Sequence, residues 1–316
     1  MKERGEGSVS RLGDLSVQQH GIPFELYDSF ATCRFGGNVA AVVITGTAIA
    51  SSLMQNIASE LGAPTTGFTH AGAGQPASIR FFTPRQEISA CGHVTVAVAT
   101  ALVMLGIWST RDCQVQAVTP AGPLPIFLRA AAASGARRSS AATLIGLAYR
   151  PRPLGPEGVP LRTAVEANLA VPTDPRLPIE IIWTGLRHLI VPVANQQALV
   201  GLVPSEAAVT ALAASCGAET VCVFTRPGEH SVRMRDLCAP IGALEEPASG
   251  TTSAALASYL TRHAAIPEPA SVIIEQGGEM GRPSRMEVKV QTLRGQLVTT
   301  VWGSALKTAS GKIFPG

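Results

Sequence analysis

The sequence predicts an α/β (α+β) protein of two domains, and three observations carry that expectation. The chain has 316 residues, enough for two medium cores. Short β-type runs alternate with helical stretches, and each half holds one Ala-rich helical stretch. A pattern of strand, proline, acidic loop and helix start occurs twice, at residues 80–93 and 235–251.

The elements follow in order from spacing and turn chemistry. Residues 1–21 are polar and charged with no apolar run, so a flexible N-terminal extension without a signal peptide is expected. Phe24–Phe30 reads as a strand, Gly36-Gly37-Asn38 as a turn, and Val39–Ile44 as a buried strand. Ser51–Leu61 places Leu53, Ile57, Ala58 and Leu61 at helical spacing. Ser78–Thr83 is a strand stopped by Pro84, and Arg85–Cys91 is a loop. Gly92–Leu105 is a helix apolar nearly all round, which belongs inside other structure. Leu124–Leu128 and Ala141–Leu147 read as strands, and the Pro- and Gly-rich stretch Arg150–Arg162 as a linker. Beyond it, strands are expected at Ile179–Thr184, Leu189–Val193, Thr220–Thr225 and Ser231–Leu237, with a helix at Ser205–Ser215. A second Ala-rich helix, Gly250–His263, precedes strands at Ser271–Glu275, Arg285–Val290 and Val298–Trp302. The expected domains are 22–150 and 151–303.

The repeated pattern bears on chemistry. Arg80-Phe81-Phe82-Thr83-Pro84, Glu87 and Cys91-Gly92-His93 match Arg235 to Pro240, Glu245-Glu246-Pro247 and Ser249-Gly250-Thr251. If the halves are related, two helix N-termini converge on one cleft. Their unpaired N–H groups and dipoles then suit a carboxylate or enolate without a metal. Glycine at 92 and 250 lets the backbone approach a ligand.

Composition excludes several partners. Net charge is +3, and no basic stripe carries interleaved aromatics, so nucleic acid is not expected. The longest apolar run, Val94–Ile107, is too short and too interrupted for a membrane span. The six cysteines show neither CxxC pairs nor zinc spacing, so reduced thiols and a cytoplasmic setting are expected. The sequence carries no HExxH, P-loop, GxSxG or strand-linked GxGxxG signature.

Five blocks in order resemble the phenazine-biosynthesis (PhzF-like) family. They are Phe35 to Val43; Arg80 to His93; Thr184 to Val193; Glu245 to Thr251; and Gln276 to Ser284. The resemblance implies the two-domain fold of diaminopimelate epimerase, each domain a barrel of strands wrapped round a central helix. It implies that the last strand, within 304–316, returns to the first domain. It further implies isomerase activity on a small carboxylated metabolite, no cofactor and no metal, and a homodimer. One position departs: the family's usual acid/base is a Glu where this chain has Thr65, and threonine holds no labile proton at neutral pH. The phenazine-pathway reaction is therefore not the expected one; a pyrroline or alkylproline intermediate of an antibiotic pathway fits the general idea.

Three residues are candidate proton carriers. His93 titrates near neutral pH and matches the family histidine. Glu246 matches the family acid, and enclosure in a cleft would raise its pKa. Cys91 precedes a helix N-terminus, where a thiol pKa falls, and is the candidate base of an alternative amino-acid epimerase. Asn38, Thr65, Gly92, Gly250 and Thr251 are candidates for substrate binding. A non-catalytic metabolite-binding protein is the third reading.

Overall fold

The computed structural model describes residues 21–315, apart from 71–76, 132–142, 156–157, 159, 229–230, 264–265 and 267. The expected N-terminal extension, the start of the Ala141–Leu147 strand and part of the Arg150–Arg162 linker lie outside the described residues.

The turn at Gly36-Gly37 joins β1 (Ile22–Ser29) to the antiparallel β2 (Asn38–Thr45). Helix α1 (Ser51–Leu61) crosses over, and β3 (Thr65–His70) returns parallel to β2. β4 (Ala77–Phe82) and the two-residue β5 (Glu87–Ile88) fold back antiparallel. Helix α2 (Gly92–Met104) follows. Then come β6 (Gln114–Thr119), parallel to β4, and the antiparallel β7 (Gly122–Ala130) and β8 (Thr143–Tyr149). A short β9 (Arg152–Pro153) and helix α3 (Arg162–Leu169) lead into the second half.

There the same order recurs. β10 (Glu180–Trp183) and β11 (Arg187–Pro192) are antiparallel. Helices α4 (Gln196–Gly201) and α5 (Glu206–Cys216) cross over to β12 (Thr220–Thr225), which is parallel to β11. β13 (Ser231–Leu237) and β14 (Glu245–Glu246) fold back, and helix α6 (Gly250–Arg262) follows. β15 (Ala270–Gln276) runs parallel to β13, and β16 (Ser284–Leu293) and β17 (Gln296–Gly303) are antiparallel. β18 (Ala305–Ile313) ends the chain, paired with β1 along its length.

The repeat is therefore topological, and it extends to side chains. Arg80 forks onto Glu87 at 2.7 and 2.6 Å, and Arg235 forks onto Glu245 at 2.9 and 2.7 Å. Among the described residues, β8 pairs with β17 across the halves, where Leu147 faces Val301, Ala31 bridges Ser284, and β18 returns to pair with β1.

Each half encloses one helix. α2 is buried from Val94 to Leu102 and touches β1, β2, β3, β4, β8 and β18. Each fully buried Val or Leu contributes roughly 1.5–3 kcal/mol, so its surroundings hold this β-branched helix more than its propensity does. Gly67 on β3 makes the close approach feasible, since a Cβ there would stand 2.5 Å from Val94 and 2.8 Å from Val98. α6 is likewise buried from Thr252 to Leu260, among β10, β11, β15, β16 and β17. The two helices also touch each other, and one apolar cluster contains both.

Candidate active site

The two central helices start side by side. Cys91 occupies the N-cap of α2 in extended conformation without capping it through its side chain. Ser249 caps α6 by accepting from the Thr252 N–H. A single side chain marks how near the two starts are. The Tyr149 hydroxyl lies 3.1 Å from where a Cβ on Gly92 would stand, and 3.3 Å from the same point on Gly250. The converging N-termini expected from the sequence are thus present, each with N–H groups free of intrahelical partners.

Asn38 joins two other candidates, from two further elements. Its Nδ2 donates to Glu246 Oε2, donates to the Ala248 carbonyl at 3.1 Å, and lies 3.5 Å from His93 Nδ1. Asn38 opens β2, His93 is the second residue of α2, and Glu246 ends β14. The turn before Asn38 is held from the other half: Arg282 donates to the Gly36 and Gly37 carbonyls at 2.9 and 2.8 Å and pairs with Asp28 at 2.8 Å. Arg282 thus has a positioning role. Gly37 has φ +57°, and a Cβ there would collide with the Ser29 carbonyl, so the turn requires glycine.

Cys91 and Thr65 complete the group. The Cys91 sulfur is 3.4 Å from His93 Nδ1, and the Thr65 hydroxyl is near enough to lower the pKa of the thiol. Both hydrogens of the Asn38 amide go to Glu246 and Ala248, so the thiol is the donor left for Nδ1, and a neutral imidazole accepting from it accounts for the geometry. Thr251 stands in the first turn of α6, its hydroxyl 3.3 Å from that of Ser249. Asn38 and Thr65 are buried; Cys91, Gly92, His93, Glu246 and Thr251 each keep part of their surface open.

Enclosure dominates the electrostatics. Burial pushes the Glu246 carboxyl up to about 7; the Asn38 hydrogen bond opposes this and the nearby Asp236 charge adds to it. Burial pushes His93 down to about 4, so the imidazole is neutral near pH 7. The Cys91 thiol is pushed up to about 12, again by burial, which outweighs the opposing effect of the Val94 backbone and the Thr65 hydroxyl. The sequence-based expectation of a lowered thiol pKa is therefore corrected: the helix start is present, but desolvation exceeds its effect.

Sequence reasoning missed two residues here. Gln276 clamps the segment between β14 and α6, accepting from the Ser249 N–H at 3.0 Å and donating to the Glu246 carbonyl at 2.6 Å. Tyr149 carries no motif; its site is defined by the β8–β17 seam. Glu87, which lies in a family block, serves Arg80 instead and stands outside the group. A cavity of about 550 Å³ lined by Asp174, Arg176, Phe224 and His263 includes none of the site residues. Among the described residues, no three His, Cys, Asp or Glu side chains cluster as metal ligands, and no helix is long and apolar enough to cross a membrane.

Two enclosed helices aimed at one set of titratable groups, within two halves of repeated topology, define the diaminopimelate epimerase-like fold. Residues 27–311 match the family model described as phenazine biosynthesis-like protein (PhzC-PhzF), and the chain belongs to that family. It is 29% identical to an uncharacterized isomerase of Deinococcus radiodurans, over 91% of this chain and 93% of the relative. It is 28% identical to trans-2,3-dihydro-3-hydroxyanthranilate isomerase of Pseudomonas aeruginosa, over 92% and 99% of the two chains. The crystal structure of a Bacillus anthracis phenazine biosynthesis protein of the PhzF family superposes with a TM-score of 0.80 at 24% identity, covering 92% and 98%. The chain is an isomerase of this family.

Proposed function

We propose that this isomerase shifts a proton, and with it a double bond, in a small unsaturated carboxylated intermediate of specialised metabolism. A pyrroline or alkylproline precursor of an antibiotic is the favoured substrate class. The observation that carries the reading is the convergence of Asn38, His93 and Glu246 beside two helix starts. Glu246, pushed up to about 7, exchanges a proton readily at neutral pH.

The chemistry follows from those groups. N–H groups at the starts of α2 and α6 hold the substrate carboxylate. Ionised Glu246 removes a proton from the allylic carbon. The electron pair of the broken C–H bond moves into conjugation with the double bond. Protonated Glu246 then returns the proton to the far end of the conjugated system, and the protein is unchanged overall. His93 and Cys91 stand beside it as a neutral acceptor and a protonated donor. Threonine at 65 offers no labile proton. Trans-2,3-dihydro-3-hydroxyanthranilate, named for the Pseudomonas aeruginosa relative, is therefore the comparison substrate.

The epimerase reading is weaker on two counts. Cys91 is held protonated, and its counterpart in the second half is Ser249, which caps its own helix. The test is incubation of both substrate types in deuterium oxide, followed by NMR. Deuterium at one carbon with a migrated double bond supports the isomerase. Inversion at the α-carbon alone would favour epimerisation, and tight binding without exchange would favour a binding protein.

A further inference from the structure

We propose that Tyr149 is a substrate-contacting residue, whose hydroxyl donates a hydrogen bond to the substrate carboxylate between the two helix starts. This rests on the carboxylate placement proposed above, and the experiment below separates the two.

Tyr149 ends β8, opposite Thr299 of β17, on the pairing that joins the halves. Its side chain therefore serves neither half alone. The hydroxyl lies level with the first residues of both helices, and a Cβ at Gly92 or Gly250 would crowd it at 3.1 or 3.3 Å. Both glycines thus make room for a phenol as well as for a ligand. An anion drawn to the free N–H groups of α2 and α6 arrives within hydrogen-bonding reach of that phenol. Burial, reinforced by the neighbouring Cys91, pushes the Tyr149 ionisation well above its ordinary range. The hydroxyl therefore remains a donor at physiological pH and adds no negative charge to the anion's site. The other tyrosines are engaged elsewhere: Tyr27 donates to Glu25 at 2.6 Å, and Tyr259 to the Pro178 carbonyl at 2.5 Å.

The chain has three tyrosines, so labelling with 3-fluorotyrosine yields three fluorine resonances, and Tyr149→Phe assigns one by its loss. Pyrrole-2-carboxylate serves as the probe, because it is planar and carries one ring-bound carboxylate. Saturating probe is expected to shift the Tyr149 resonance and to leave those of Tyr27 and Tyr259 in place. Calorimetry is expected to show the probe binding Tyr149→Phe at least about tenfold more weakly, as for loss of one hydrogen bond to a charged group. The two remaining resonances, unmoved in the variant, establish that it folds. A probe that binds the wild type yet leaves the Tyr149 resonance unmoved, or binds the variant within twofold, overturns the assignment while leaving the carboxylate site standing. A wild type that does not bind the probe overturns the carboxylate placement and the tyrosine role together.

Discussion

Replacing Glu246 by Gln should stabilise the protein in a pH-dependent way. In the folded chain this carboxyl is pushed from an ordinary 4.5 to about 7, first by burial. Below pH 4.5 the group is protonated in both folded and unfolded chains and costs nothing. Between 4.5 and about 7 the unfolded chain releases the proton while the folded chain keeps it, so stability falls as pH rises. Above about 7 the folded carboxyl ionises as well, and the loss levels off at about 3 kcal/mol. The substituted side chain does not titrate, yet its amide oxygen still accepts from Asn38. Glu246→Gln is therefore expected to match the wild type near pH 4.5 and to exceed it by up to about 3 kcal/mol at pH 8. Denaturant unfolding curves for both proteins at several pH values measure the difference, and the remaining titrating groups largely cancel in it. A difference that does not change with pH would refute the reasoning, because it would mean that Glu246 titrates alike folded and unfolded.

Three further outcomes follow from the same geometry. Asn38→Ala removes the amide that holds Glu246 and the Ala248 carbonyl; kcat/KM should fall about 10–100-fold. The Glu246 limb of its pH–rate profile should move to higher pH, because the lost hydrogen bond had favoured the ionised form. Cys91→Ser should keep measurable turnover, and at pH 8 mass spectrometry should find Cys91 alkylated by iodoacetamide far more slowly than the exposed Cys33. Arg282→Ala should cost roughly 2–4 kcal/mol in denaturant unfolding, since it strands the buried Asp28 carboxylate and two turn carbonyls.

Much of this fold was legible because burial leaves a strong pattern. α2 and α6 were placed to within about one residue, since helices enclosed on all sides must be small or apolar all round. β12 and β13 fell at their predicted ends for a similar reason. β3 was missed: its sequence TTGFTH is threonine-rich, and its burial depends on Gly67 admitting α2, a tertiary fact. α3 was hidden because Arg162, its first residue, ended the Pro- and Gly-rich stretch read as a linker. In the site, Asn38, His93 and Glu246 stood in motif blocks, and the structure brings all three together. Tyr149 reaches it through strand pairing, which leaves no local spacing to read, while Gln276 stood in a family block but its clamp on the segment before α6 is a tertiary fact. The acidity of Cys91 was misjudged because desolvation depends on packing around the thiol, whereas the helix start alone is visible in sequence.

Deuterium uptake from solvent, compared between the wild type and Glu246→Gln on a pyrroline carboxylate in deuterium oxide, addresses the proton carrier itself. The wild type should place deuterium at the allylic carbon as the double bond migrates, and the Gln variant should show no such incorporation on the same timescale. Equal incorporation by the two proteins would contradict the assignment of Glu246.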